Sequence, residues 1–133
     1  MKKYIIIAVT IAAMCWSGCI SYAHDEQPTL IKMYGTAYCL QGVTASGKSV
    51  RIGLCASGHK DWLGKTCIIY QRLPDDSVGD ILYILEIEDT GCKESVIDIW
   101  MPDLDACQEV MNRLYEDGCE GRIYCQVLED CNG

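Results

Sequence analysis

Residues 81–100, which read ILYILEIEDTGCKESVIDIW, decide the fold and hold the chain's first candidates for chemistry. Two strongly apolar, β-branched runs, 81–88 and 96–100, are joined by a turn that starts at Asp89. Such runs, bounded by turn-forming residues, predict two β-strands. Asp98 lies inside the second run, and burying an ionised carboxylate without a partner is very costly. Both aspartates therefore face either water or a site.

On either side of this stretch, similar runs predict four more strands, because β-branched and aromatic residues are grouped between clusters of Gly, Pro and Ser. The predicted strands span residues 32–40, 50–56, 65–72 and 122–128. One α-helix is predicted between Asp103, which can cap it, and Gly118, which would stop it. Six short strands with one helix before the last strand predict a mainly β fold, a small closed or nearly closed β-barrel.

The first 23 residues have the features of a secretory signal peptide. Lys2 and Lys3 form a basic start, residues 4–16 an apolar core, and Ala23 ends an A-x-A-like cleavage site. The apolar core is too short for a membrane-spanning helix. Two alternatives stay open, a lipoprotein signal that ends at Cys19 and an uncleaved anchor.

Cleavage after Ala23 leaves a chain of the size of one domain. We therefore predict a signal peptide at 1–23, an N-terminal leader at 24–32 and a single domain at 33–133. The protein is expected to be a monomer that is exported to the periplasm, the cell envelope or the extracellular space. Attachment to a membrane is expected only if Cys19 is lipidated.

The exported chain is strongly acidic. Loss of Lys2 and Lys3 with the signal peptide changes the formal charge from −8 to −10. Such a chain cannot attract a polyanion over distance, which argues against nucleic acid and anionic lipid surfaces as partners. A neutral or zwitterionic ligand such as a glycan fits this charge better.

An even number of cysteines remains after cleavage, and in an exported domain this predicts a disulfide framework. The disulfide candidates are Cys39, Cys55, Cys67, Cys92, Cys107, Cys119, Cys125 and Cys131. The sequence alone does not choose among their many possible pairings. No C-x-x-C pair occurs, so we expect no structural metal, and no motif indicates a cofactor.

Five short segments, taken in order along the chain, resemble the motifs of the 3D domain family, which is named for three aspartates. They are Thr36-Ala37-Tyr38, Thr44-Ala45-Ser46-Gly47, Leu63-Gly64, Glu88-Asp89-Thr90-Gly91 and Ile97-Asp98-Ile99-Trp100. The resemblance implies a six-stranded double-psi β-barrel. This barrel is similar to the catalytic domain of membrane-bound lytic transglycosylase A and is shared with rare lipoprotein A and the expansins.

The resemblance also implies peptidoglycan glycan strands as substrate, cleaved without water between N-acetylmuramic acid (MurNAc) and N-acetylglucosamine (GlcNAc). Asp98 would protonate the glycosidic oxygen, and its carboxylate would then help the sugar's own 6-hydroxyl to attack, which leaves a 1,6-anhydro end. Asp89 matches the family's middle aspartate, whose charge could stabilise the oxocarbenium-like sugar. The candidate substrate-binding residues are Thr36, Tyr38, Thr44, Ser57, Asp61 and Trp62.

A general acid must keep its proton, whereas a free aspartic acid titrates near about 3.9. Apolar neighbours and a like charge can raise the pKa of a carboxyl group. For Asp98, the adjacent residues Ile97 and Ile99 supply the first condition and Asp89 can supply the second. Two carboxylates also fit an ordinary glycoside hydrolase, in which the second carboxylate is a nucleophile or activates water.

The chain departs from the family pattern at the first aspartate, where simple alignment places Ser57, and Asp61 is close by but shifted. Catalysis is therefore one of three hypotheses. The second is a non-catalytic module of the same fold, an expansin-like glycan binder or a structural envelope protein. The third is a secreted, cysteine-rich interaction protein. Carboxylates that share one wall of a groove would favour catalysis, and carboxylates held in backbone hydrogen bonds would favour the module.

Overall fold

The computed structural model describes residues 28–129. They contain six strands, one α-helix and two short 3-10 turns. The strands are β1 (Ile31–Tyr38), β2 (Leu54–Ser57), β3 (Thr66–Arg72), β4 (Val78–Asp89), β5 (Val96–Trp100) and β6 (Arg122–Leu128). The helix α1 (Leu104–Leu114) precedes β6, and the 3-10 turns are Lys60–Trp62 and Glu116–Gly118. The predicted signal peptide, residues 24–27 of the predicted leader and Cys131 lie outside the described residues.

The strands close into a barrel in the order β1-β5-β2-β4-β3-β6. β1 pairs in parallel with β5, and β2 pairs in parallel with β4. The other neighbouring pairs are antiparallel. The predicted mainly β closed barrel, with one helix before the last strand, is confirmed.

Two strands begin three or more residues away from their predicted starts. The strand predicted at 50–56 is only Leu54–Ser57, because the chain turns at Gly53, whose φ of 105° is a conformation that glycine tolerates. The strand predicted at 81–88 instead begins at Val78. It starts early because the preceding loop is tight, with the Asp75 carboxylate accepting hydrogen bonds from the backbone N and the hydroxyl of Ser77.

Asp103 caps α1 as predicted, since its carboxylate accepts a 2.9 Å hydrogen bond from the backbone N of Ala106. The predicted end of the helix at Gly118 is wrong, because α1 ends at Leu114. The helical path cannot continue through Asp117, whose φ of 56° is left-handed.

The core fills the barrel and extends under α1. It is built from residues that alternate along the strands, such as Ile97 and Ile99 of β5, which are both fully buried. α1 packs against β1, where Gly35 permits close contact: a Cβ at this position would lie 3.0 Å from the Leu114 side chain. The alternation along β5 turns Asp98 to the face opposite the two isoleucines, so its carboxyl group does not point into the core.

The predicted disulfide framework is not confirmed. Seven of the candidates are free thiols, namely Cys39, Cys55, Cys67, Cys92, Cys107, Cys119 and Cys125. The Sγ atoms of Cys55 and Cys67 are 3.9 Å apart, whereas the sulfurs of a disulfide are about 2.05 Å apart. Cys131, the eighth candidate, is not among the described residues.

Candidate functional site

Asp98 and Asp89 lie on either side of a single residue, Ala56 of β2. Ala56 is paired with Asp98 of β5 in the antiparallel ladder and with Asp89 of β4 in the parallel one. A register shift in β2, between Cys55 and Ala56, produces the second pairing. On the far side of β5, Thr36 of β1 is paired with Asp98. The site is therefore a row of residues across four neighbouring strands, β1, β5, β2 and β4. In this row, one strand, β2, lies between Asp98 and Asp89.

Within this row, the carboxyl group of Asp98 lies in surroundings that favour its protonated form. The Thr36 hydroxyl donates a 2.7 Å hydrogen bond to its Oδ1. Burial raises the pKa of Asp98, the hydrogen bond from Thr36 partly opposes that shift, and the nearby charge of Asp89 adds to it. The net shift is upward, so Asp98 keeps its proton to a higher pH than an ordinary aspartic acid.

Asp89 is held by three donors. The Tyr38 hydroxyl donates to its Oδ2 at 3.1 Å, and the backbone N atoms of Ala45 and Thr90 donate to its Oδ1 at 2.9 and 3.0 Å. These donors come from β1, from the loop after β1 and from the turn after β4. The carboxylate therefore joins three segments as well as facing Asp98.

Tyr38 remains a neutral donor in this arrangement. Burial raises the pKa of its phenol group, and the charge and hydrogen bond of Asp89 raise it further, with a smaller contribution from Asp98. The Tyr38 hydroxyl is consequently protonated over the pH range in which proteins are normally studied. It can hold Asp89 in position without itself changing charge.

A short hairpin, residues 43–49, is clamped onto the end of β4 beside Asp89. Its ends are bridged by Val43 and Ser49, and Thr44 is buried, with its hydroxyl donating to the carbonyl of Lys48. The Lys48 Nζ lies 3.1 Å from Oε2 of Glu88, which is only 3% exposed. The ion pair thus joins an exposed ammonium group of the hairpin to a buried carboxylate of β4, and the hairpin presents the backbone N of residue 45 to Asp89.

The structure does not add Ser57, Asp61 or Trp62 to this row. Ser57 is completely buried, and its Oγ accepts a 3.0 Å hydrogen bond from the backbone N of His59, so in this conformation it cannot contact a ligand. Asp61 is exposed in a 3-10 turn and takes no part in the hydrogen bonds that hold the two aspartates. Trp62 is half-buried and stacks on His59, with ring centroids 3.9 Å apart.

Among the candidates, Thr36, Tyr38, Asp89 and Asp98 are brought together, and Thr44 organises the hairpin beside them. Sequence reasoning missed the ion pair between Lys48 and Glu88, which are 40 residues apart, because no local pattern links them. The only sign of this ion pair in the sequence was Glu88, a charged residue next to Asp89 at the end of an apolar strand.

In chemical terms, the row offers the carboxyl group of Asp98, whose pKa is raised, and the carboxylate of Asp89 one strand away. Between residues 28 and 129, no group of three or more His, Cys, Asp or Glu side chains is placed to hold a metal ion, and no helix is long and apolar enough to cross a membrane. No protein-family model matches the chain, and no curated protein matches it significantly.

Proposed function

We propose that this protein is an exported lytic transglycosylase that cleaves peptidoglycan glycan strands between MurNAc and GlcNAc, on a double-psi β-barrel of the 3D type. The observation that carries the proposal is the placement of Asp98. Its carboxyl group has a raised pKa and lies one strand from Asp89 on the face opposite the core. The ordered motifs of the 3D family, which contain both aspartates, support the same assignment.

Asp98 acts first as the general acid. Its proton passes to the glycosidic oxygen while the bond from this oxygen to C1 of MurNAc breaks. The resulting carboxylate then takes the proton of the MurNAc 6-hydroxyl, whose oxygen bonds to C1. The products are a 1,6-anhydro-MurNAc end and a free GlcNAc 4-hydroxyl, and Asp98 regains its proton, so no water is consumed.

Asp89 stabilises the positive charge that develops on the sugar in this reaction. A fixed negative group is effective because it does not need to reorganise as the charge forms. The donors from Tyr38, Ala45 and Thr90 hold the Asp89 carboxylate in one orientation. With Ser57 buried and Asp61 turned to solvent, the proposed mechanism uses two acids where the family has three.

A second candidate function is a non-catalytic, glycan-binding or structural envelope module of the same fold. The observation in its favour is that two of the three donors to Asp89 are backbone N–H groups. A carboxylate engaged in this way can serve as an anchor for two loops and need not take part in a reaction.

The deciding experiment is to incubate the purified protein with purified peptidoglycan and to analyse the soluble products by liquid chromatography and mass spectrometry. Lytic transglycosylation predicts 1,6-anhydromuropeptides from wild type and none from Asp98→Asn. Asp80→Asn, at an exposed position of β4, is the matched control and should remain active. Products with ordinary reducing ends would indicate a hydrolase instead. Binding to peptidoglycan without any product would favour the module.

A further inference from the structure

Five cysteines that have no place in the proposed reaction meet in two groups. Cys55, Cys67 and Cys125 are completely buried inside the barrel. Cys39 follows the last residue of β1, and Cys107 lies in the first turn of α1, the helix that packs against β1. The two groups differ in how easily their sulfur atoms can form a covalent bond.

The backbone around Cys39 is fixed beside the segment that leads into α1. The carbonyls of Tyr38 and Leu40, its two neighbours, accept hydrogen bonds of 2.8 Å from the backbone N of Met101 and 2.6 Å from the indole N of Trp100. The first turn of α1, which follows this segment directly, carries the second cysteine.

Leu114, two turns after Cys107 on the same buried face of α1, packs against Gly35, four residues before Cys39. The backbone bonds and this packing therefore place Cys107 at the end of β1, beside Cys39, independently of the two thiols.

Cys39 is also the accessible member of its pair. It lies after the last residue of β1, outside the strand ladder, and it is only half-buried. Cys107 is 8% exposed, and burial raises the pKa of its thiol. An oxidant in solution therefore reaches Cys39 first, and Cys107 needs only to reach the sulfur of Cys39.

The interior group faces a different constraint. Cys55 is in β2 and Cys67 in β3, and β4 lies between these strands. To close the 3.9 Å gap between their sulfurs to about 2.05 Å, two strands of a closed barrel would have to move. Cys125 of β6 is diagonal to Cys67, which is paired with Val127. None of the three interior sulfurs is exposed to an oxidant.

We propose that Cys39 and Cys107 form a disulfide bond that ties the end of β1 to the first turn of α1, while Cys55, Cys67 and Cys125 remain thiols. With glutathione disulfide as oxidant, the Cys39 thiolate displaces one glutathione thiolate to give a mixed disulfide. The Cys107 thiolate then displaces the second. Two protons and two electrons leave the cysteine pair, and two molecules of glutathione are formed. This bond does not depend on whether the protein cleaves glycans.

The test is to incubate the native, reduced full chain with glutathione disulfide, alkylate the remaining thiols and map a tryptic digest by mass spectrometry without reduction. Trypsin places Cys39 on residues 33–48 and Cys107 on residues 94–113. The interior cysteines lie on the tryptic peptides 52–60, 66–72 and 123–133. A second digestion with a glutamate-specific protease cleaves after Glu129 and separates Cys125 from Cys131. We expect residues 33–48 joined to residues 94–113. A digest without this link, or with a link between interior cysteines, overturns the proposal.

Two variants make the test specific. In Cys107→Ser the link cannot form, whereas Cys92→Ser, at another half-buried cysteine, should keep it. Oxidation should raise the Tm of wild type by roughly 10 °C or more, since the bond closes a long loop. The Tm of Cys107→Ser should be the same before and after oxidation. An equal rise in this variant would assign the stabilisation to other cysteines and contradict the proposal.

Discussion

The middle of β5 and the end of β4 carry the same side chain, an aspartate, in two different surroundings. Asp98, in the middle of its strand, receives one hydrogen bond, from a hydroxyl group, and its pKa is raised by burial. Asp89, at the end of its strand, receives three, from one hydroxyl and two backbone N–H groups. The two carboxyl groups flank the same residue of β2.

The position along the strand explains this difference. In the middle of a strand, the neighbouring backbone N–H groups are used by the ladder, so a carboxyl group finds only side-chain donors. At the end of a strand, the loops offer N–H groups that have no ladder partner. A mid-strand aspartate with apolar neighbours therefore tends to keep its proton, and a strand-end aspartate tends to be fixed as an acceptor. This contrast is the reason for the roles proposed above, proton transfer for Asp98 and charge stabilisation for Asp89.

The largest expected effect is on catalysis. Asp98→Asn should lower the rate of 1,6-anhydromuropeptide formation by at least about 100-fold, because it removes the proposed general acid and base. Asp89→Asn should cause a smaller loss, since it removes a stabilising charge and leaves the proton carrier in place. The rates are measured from product formation over time. A larger loss in Asp89→Asn than in Asp98→Asn would reverse the assigned roles.

The next effect is on stability, and here the order of the two aspartates reverses. Asp89→Ala leaves a hydroxyl and two backbone N–H groups without their acceptor, which should lower the free energy of unfolding by about 1–3 kcal/mol. Asp98→Asn keeps an acceptor for the Thr36 hydroxyl and should not destabilise the fold. Urea unfolding at neutral pH measures both. Asp80→Ala, an exposed control in the same strand as Asp89, should change stability by less than about 0.5 kcal/mol.

Local pattern was sufficient to predict β5, β6 and the orientation of Asp98 away from the core, because alternation along a strand is a property of neighbouring residues. It could not place Asp89 one strand from Asp98, since Asp98 pairs with Ala56 in an antiparallel ladder and Asp89 pairs with Ala56 in a parallel ladder after a register shift. Ser57 shows the same limit. Its neighbour Ala56 lies in the row between the aspartates, yet Ser57 itself is completely buried.

Long-range partners explain the other differences. The bond from Thr36 to Asp98 spans 62 residues, and the bond from Tyr38 to Asp89 spans 51. Spacing along the chain contains no information on such pairs. Both donors are predicted to bind substrate, and in the structure their hydroxyls donate to the two carboxyl groups.

A smaller effect is expected when only one donor to Asp89 is removed. Tyr38→Phe should destabilise the protein by about 0.5–1.5 kcal/mol, because the two backbone donors remain. In the Asp89→Ala background the same change should have almost no effect, since the hydroxyl has already lost its acceptor. A double-mutant cycle by urea unfolding measures this coupling. Additive effects would mean that the hydroxyl of Tyr38 stabilises the fold through some other contact.

The smallest expected effect is on how stability depends on pH. The raised pKa of Asp98 means that the folded state binds this proton more tightly than the unfolded state, in which the group titrates near about 3.9. The contribution of Asp98 is therefore fully favourable at low pH and declines as the pH rises through the unfolded and then the folded pKa.

Asp98→Asn lacks this decline, so its stability relative to wild type should increase from pH 3.5 to pH 7, by less than about 1 kcal/mol. Other acidic groups cancel in this difference because they are common to both proteins. Thr36→Val should shift the decline to higher pH, because the hydroxyl of Thr36 partly lowers the pKa of Asp98. A difference between wild type and Asp98→Asn that stays constant with pH would show that Asp98 titrates alike in the folded and unfolded chains. Asp98 would then be no better suited to carry a proton than an ordinary aspartic acid.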